Sequence, residues 1–306
     1  MVRENEVVSR CLSLAPNNLE NPNTTIAGAI MIIFAFVNIL SNSLLIFALY
    51  KSKQHRTFSN KFILIMTLSD LCFGIFAQPV TGAFWISSRQ RNCLEVKSIH
   101  FMVIFLGCIS VLMILLISVD RYLHVTKPIR YQTMMNTNRM ILLVVSCFIS
   151  GFIAATISVV WESFYRKLTI LIFNFVLKTV FLILNTKTLK TLERHQRNAI
   201  FRFQPGSRNE MPNSQNERLA AVKTIRLVLG LFLICYTPYN IASVFWTHHG
   251  FKKSSAAGVL LETTYIWSGV IAASVSFLNS LIFIRGNIKC RRVVRSLFCK
   301  STEAPE

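Results

Sequence analysis

Charge is scarce in this chain, and acid is scarcest. Of 306 residues only 15% are charged, with 13 Asp and Glu against 33 Lys and Arg. Soluble domains carry about 25% charged residues, so a water-facing surface over a fold this size is excluded. No CxxC pair or Cys/His cluster gives metal-ligand spacing. No nucleotide loop or Ser/His/Asp arrangement is present, and His100, His124, His195, His248 and His249 are too dispersed to form a catalytic site by local spacing. The chain is read as lacking catalytic chemistry and any organic cofactor. There is no repeat and no low-complexity tract. Met1 to Asn23 lacks the apolar centre of a cleavable signal peptide, so the first apolar run has to act as the targeting segment.

Apolar residues are abundant. They make up 53% of the chain, Phe occurs 24 times, and the mean hydropathy is +0.49. They gather in seven runs near 25–49, 58–84, 96–123, 139–161, 167–191, 219–247 and 257–284. About 20 residues of helix cross roughly 30 Å of hydrocarbon, and a lone strand would leave its backbone unpaired in lipid. The expected fold is an all-α bundle of seven transmembrane helices, residues 25–284, between a tail at 1–24 and a cytoplasmic segment at 285–306. The fifth run is the weakest: Lys178 sits near its middle, one turn after Asn174. A charge at that depth costs at least ~2.5 kcal/mol on insertion scales.

The net charge of +20 would suit nucleic acid, but its distribution suits a membrane. With the N-terminus outside, 23 Lys and Arg border the inner segments and nine the outer ones. The positive-inside rule then sets the orientation: an extracellular N-terminus, a cytoplasmic C-terminus and a multi-pass chain in the plasma membrane. Asn23-Thr24-Thr25 is a glycosylation sequon on the outer side. After Arg285, Ile288, Val293, Val294, Leu297 and Phe298 alternate with basic residues, the pattern of an amphipathic helix on the inner membrane face.

Asp70, midway along the second run, is the sharpest intramembrane polar residue. A carboxyl there has to be protonated, hydrogen-bonded or matched to a cation. Two readings stand: a neutral structural group, or a small-cation site.

Five short motifs occur in order. Asn42 lies in the first run and Leu68-Ser69-Asp70 in the second. Asp120-Arg121-Tyr122 closes the third, followed by Pro128-Ile129-Arg130-Tyr131. Cys235-Tyr236-Thr237-Pro238 lies in the sixth and Asn279-Ser280-Leu281-Ile282-Phe283 in the seventh. Together they resemble the rhodopsin-family (class A) G-protein-coupled receptors over residues 30–300, with DRY intact, CWxP carrying Tyr for Trp, and NPxxY carrying Ser and Phe.

The resemblance implies a receptor that converts extracellular ligand binding into activation of a heterotrimeric G protein, with arrestin as a further partner. Arg121, paired at rest with Asp120, would be the switch. Pro238 would kink the sixth helix, and Tyr236 would floor the ligand pocket or serve as a core aromatic. Asp70, Ser110, Ser276 and Asn279 resemble a set that surrounds Na⁺, a hard cation that takes oxygen ligands. Arg218 stands where many relatives have an acid on helix six, with Glu217 adjacent; a second clamp on Arg121 is therefore in question. The amphipathic segment resembles an eighth helix, with Cys299 and Cys290 as acylation candidates.

On the outer side the resemblance removes options. Val103 stands where amine receptors have an Asp, and Ala273 where visual pigments have a Lys. The usual disulfide lacks its second-loop Cys; Cys11 and Cys93 either pair in this oxidising compartment or stay as two free thiols. The short second outer loop and the absence of a Pro in the middle of the fifth helix are similar to the melanocortin receptors, and the second trait extends to adenosine and lysophospholipid relatives. Lys178 either pairs with an acidic ligand group, makes a contact within the protein, or marks a shifted helix register. The basic outer rim, Arg89, Arg91, Lys97, Arg166, Lys167, Lys252 and Lys253 against Glu95, Glu162 and Glu262, leans toward a peptide or an anionic small molecule. The rival readings are a transporter or channel, and a receptor-like partner protein that does not signal.

Overall fold

A computed structural model describes residues 22–87, 92–126, 130–131, 133, 135–160, 213–248 and 256–298, with isolated residues between 172 and 194. The elements are α1 (Pro22–Lys51), a 3₁₀ turn (Gln54–Arg56), α2 (Phe58–Ile86), α3 (Cys93–Thr126) and α4 (Thr137–Val160). The described residues between 172 and 194 are all helical and mark α5. Then come α6 (Asn213–His248), α7 (Ala256–Gly286) and a short α8 (Ile288–Phe298). Among the described residues, six helices are long and apolar enough to cross a bilayer. With α5 they form the expected seven-helix membrane bundle with its eighth helix.

The bundle buries polar side chains among its apolar core and leaves many large apolar ones on its outer surface, unlike a soluble protein. In α1, Asn38 and Asn42 are fully buried while Phe36 and Leu40 are 71% and 72% exposed. In water such a surface would aggregate; in hydrocarbon it is the solvated face. One core cluster joins Leu45, Phe62, Met113, Ile117, Val228 and Phe283 toward the α8 end, and a second gathers around Phe73, Trp85 and Ile266 toward the opposite end.

Small residues set the closest approaches, as is usual where lipid competes with side-chain packing. A Cβ on Gly28 would lie 2.7 Å from the Gly82 carbonyl oxygen, and one on Gly82 would lie 2.7 Å from that of Gly28. The start of α1 and the end of α2 are therefore in backbone contact.

α2 is interrupted by a π-turn, Phe73–Ala77. Pro79 explains it. Its ring collides with the carbonyl four residues earlier, that of Ile75, and it lacks an N–H for that group; a widened turn relieves both problems. α6 runs through Pro238 without breaking. α7 continues unbroken past Asn279, as the missing Pro leads one to expect. α8 starts on an Asn287 cap, whose Oδ1 accepts from the backbone N–H groups of Lys289 (3.1 Å) and Cys290 (3.2 Å).

Candidate functional site

Two polar centres lie along the bundle axis. The first is at the α8 end. Asp120, 2% exposed, accepts the Tyr131 hydroxyl at Oδ1 (2.6 Å) and the Ser59 hydroxyl at Oδ2. One carboxylate thus ties α3 to the start of α2 and to the segment after α3. His124 meets the Tyr131 ring edge-on at 4.9 Å. Burial, and then the bond to Asp120, push the Tyr131 hydroxyl well above its ordinary range, so it stays a neutral donor. Asp120 and Arg121 line a cavity of about 460 Å³ whose wall includes Thr224, Ile225, Phe283 and Asn287. Tyr122 is half-buried beside them. The side chains of Glu217 and Arg218 lie outside the described residues.

The second centre surrounds Asp70, 1% exposed. Ser110 donates to Oδ1 at 2.6 Å and Asn279 to Oδ2 at 3.5 Å. Ser276, buried one turn before Asn279, lies near the same carboxyl. The four residues expected to gather here do so. The side-chain oxygens of Asn42 and Asn279 are buried with no hydrogen-bond partner. Orphaned buried acceptors are costly in an apolar interior, and that of Asn279, whose amide reaches the Asp70 carboxyl, suits a hard cation, which takes oxygen donors.

Sequence reasoning missed four residues of these centres. Ser59 and Tyr131 hold Asp120. Asn38 and Gln78, each fully buried, extend the Asp70 network: Asn38 Nδ2 donates to the Asp70 carbonyl (2.9 Å) and to Gln78 Oε1 (3.0 Å). The argument that singled out Asp70 applies to Asn38 and Gln78 as well, since both are polar groups inside apolar runs.

Tyr236 stacks on buried Phe232 at 5.0 Å, midway along α6. Val103 packs, half-buried, against the second core cluster. Tyr239 and Tyr265 stack at 5.5 Å and share a hydrogen bond between α6 and α7. Glu262, expected on the rim, is 5% exposed; it lies three residues before Tyr265, on the same inward stripe of α7. Asn23 falls in the first turn of α1, partly buried, so the helix begins within the expected tail. Cys93, at the start of α3, is disulfide-bonded. Cys72, Cys108, Cys147, Cys235 and Cys290 are free. Cys290 faces inward, 0% exposed, with its Sγ 3.8 Å from the Ser52 hydroxyl. Cys11, Lys178 and Cys299 lie outside the described residues.

A seven-helix membrane bundle with a buried polar centre, and with Asp120 and Arg121 lining a cavity at one end, has the architecture of a membrane receptor. The sequence matches the family described as "7 transmembrane receptor (rhodopsin family)" over residues 41–167 and 156–283. The chain belongs to that family, and its role is that of a receptor, not an enzyme. Among similar proteins, the histamine H2 receptor of Cavia porcellus is 23% identical over 293 residues, covering 88% of this chain and 78% of the relative. The visual pigment-like receptor peropsin of Homo sapiens is 21% identical over 300 residues, covering 89% and 84%. The muscarinic acetylcholine receptor M3 of Bos taurus is 28% identical over 178 residues, covering 52% and 30%.

Proposed function

We propose that this receptor lies in the plasma membrane with its N-terminus outside, takes a ligand at the end opposite α8, and activates a heterotrimeric G protein at the α8 end. The observation that carries this reading is the cavity at that end, where Arg121 sits among walls from α2, α3, α6 and α7. A cavity shared by several helices changes shape when any one of them moves, so an equilibrium between two packings can be read out there. Arg121 supplies a rigid guanidinium fork suited to carbonyl or carboxylate acceptors on a partner. Arrestin would compete for the same face.

Na⁺ would bind at Asp70, with Ser110, Ser276 and Asn279 completing the set, and would favour the resting packing. The orphaned oxygen of Asn279, beside the Asp70 carboxyl, supports this.

The amine ligands that two relatives are named for do not transfer simply, because Val103 offers no charge on α3. Ala273 likewise offers no amine to a retinal. The short second outer loop supports an open pocket mouth of the melanocortin kind. Basic rim residues favour an acidic ligand group, while buried Glu262 places an acid at the same end. A peptide carrying both signs fits that pairing better than a small anion. Cys11 would staple the N-terminal tail to Cys93.

The test is GTP exchange by purified heterotrimers with receptor in vesicles. Wild type is expected to accelerate exchange, and Arg121→Ala to abolish the acceleration with normal receptor levels. Ion current or solute flux without G protein, together with no exchange, would instead favour a transporter or channel.

A further inference from the structure

α2 carries two fully buried polar side chains, Asp70 and Gln78, eight residues apart. In an unbroken α-helix that spacing turns them about 80° from each other. The π-turn at Phe73–Ala77 takes up one residue and brings Gln78 back to within about 20° of the Asp70 line. One side chain of α1 then reaches both positions. Asn38 Nδ2 donates to the Asp70 carbonyl at 2.9 Å and to Gln78 Oε1 at 3.0 Å, while Asn38 Oδ1 accepts from Asn42 at 2.5 Å. Gln78 Nε2 donates onward to the Ala273 carbonyl of α7 at 3.2 Å.

Room for this bridge comes from Gly74, inside the π-turn. A Cβ there would lie 2.7 Å from Asn38 Nδ2. Ala273 stands three and six residues before Ser276 and Asn279, which share its helix face and reach the Asp70 carboxyl.

We propose that Asn38 and Gln78 are positioning residues that hold the α7 backbone at Ala273 in register with Asp70, so that a cation at Asp70 and the placement of α7 are linked. The inference rests on the cation reading of Asp70. It assigns Asn38 and Gln78 no contact with the cation; they act by fixing the segment that brings Ser276 and Asn279 to it.

The test follows thermal unfolding of the purified receptor while NaCl replaces choline chloride at constant ionic strength. Wild type is expected to gain stability with Na⁺, and Asp70→Asn to show no response. Gln78→Met keeps the side chain's length and loses both hydrogen bonds; its Na⁺ midpoint is expected to rise about tenfold. A merely structural loss would lower Tm at every Na⁺ concentration and leave that midpoint in place. Gly74→Ala, which displaces Asn38 and leaves the Gln78 amide intact, is expected to shift the midpoint in the same direction and serves if Gln78→Met does not fold. A wild-type midpoint in the folded variants, beside a silent Asp70→Asn, overturns the inference and leaves the cation reading standing. A wild type that ignores Na⁺ overturns both.

Discussion

At the scale of single residues, Asp120 departs from the simple pair that the motif suggests, because both its oxygens already accept hydroxyl hydrogen bonds, from Tyr131 and Ser59. Tyr131→Phe leaves a buried carboxylate oxygen with one donor fewer, which costs about 1–3 kcal/mol. The expected result is a lower Tm together with basal GTP exchange raised severalfold; Ser59→Ala should couple to it non-additively, since both act on one group. A second prediction concerns the thiols. Burial raises the Cys290 thiol above its ordinary value, partly offset by Ser52. Less thiolate then forms at any given pH than in a free cysteine, so alkylation at pH 8 should be slow. The Cys290 sulfur would also have to leave its packing against Ser52 to carry an acyl chain. Palmitate labelling should therefore disappear in Cys299→Ser and persist in Cys290→Ser. Asp120, Arg121 and Asp70 were legible because a charge in an apolar run is rare. Ser59 and Tyr131 were not, because hydroxyl residues near helix ends are common and only the fold shows which of them face a carboxylate.

At the scale of elements, the helices were legible from length and apolarity alone, and the basic borders supported their number. The π-turn was not, although Pro79 was visible in the sequence: a proline in an apolar run is compatible with a kink, a break or a widened turn, and packing chooses among them. The meeting of α6 and α7 was equally hidden. A Cβ on Gly286 would overlap Thr224 Oγ1 and stand 2.8 Å from its Cγ2 and 2.9 Å from its Cβ. Gly286→Ala is expected to push the α8-side end of α6 away from α7 and raise basal GTP exchange several times over, with Thr224→Ala in the same chain restoring part of the difference. Equal exchange in Gly286→Ala and wild type, at matched receptor density, would show that this contact does not hold the bundle closed.

At the scale of the whole molecule, the excess of Lys and Arg on one set of loops predicts which way the chain threads the membrane. Epitope tags placed beside Asn23 and after Glu306 are expected to label on opposite faces of intact cells, the first without permeabilisation and the second only with it. The family was legible because its motifs recur in order on successive helices, whereas the ligand was not: side chains at the end opposite α8, such as Val103, Tyr265 and Glu262, follow no shared spacing. Buried Glu262 shows how a residue counted with the rim in one dimension can belong to the interior in three.

The reciprocal contact of Gly28 and Gly82 has a consequence for motion. With each glycine seated on the other's carbonyl oxygen and flanked by Ile86 and Ile32, the start of α1 and the end of α2 cannot slide past each other without steric collision. They behave as one stiff double beam. Bending at that end of the bundle would then fall to helices without such a lock, and α6, whose Pro238 already deprives the backbone of a donor, is the one built to yield.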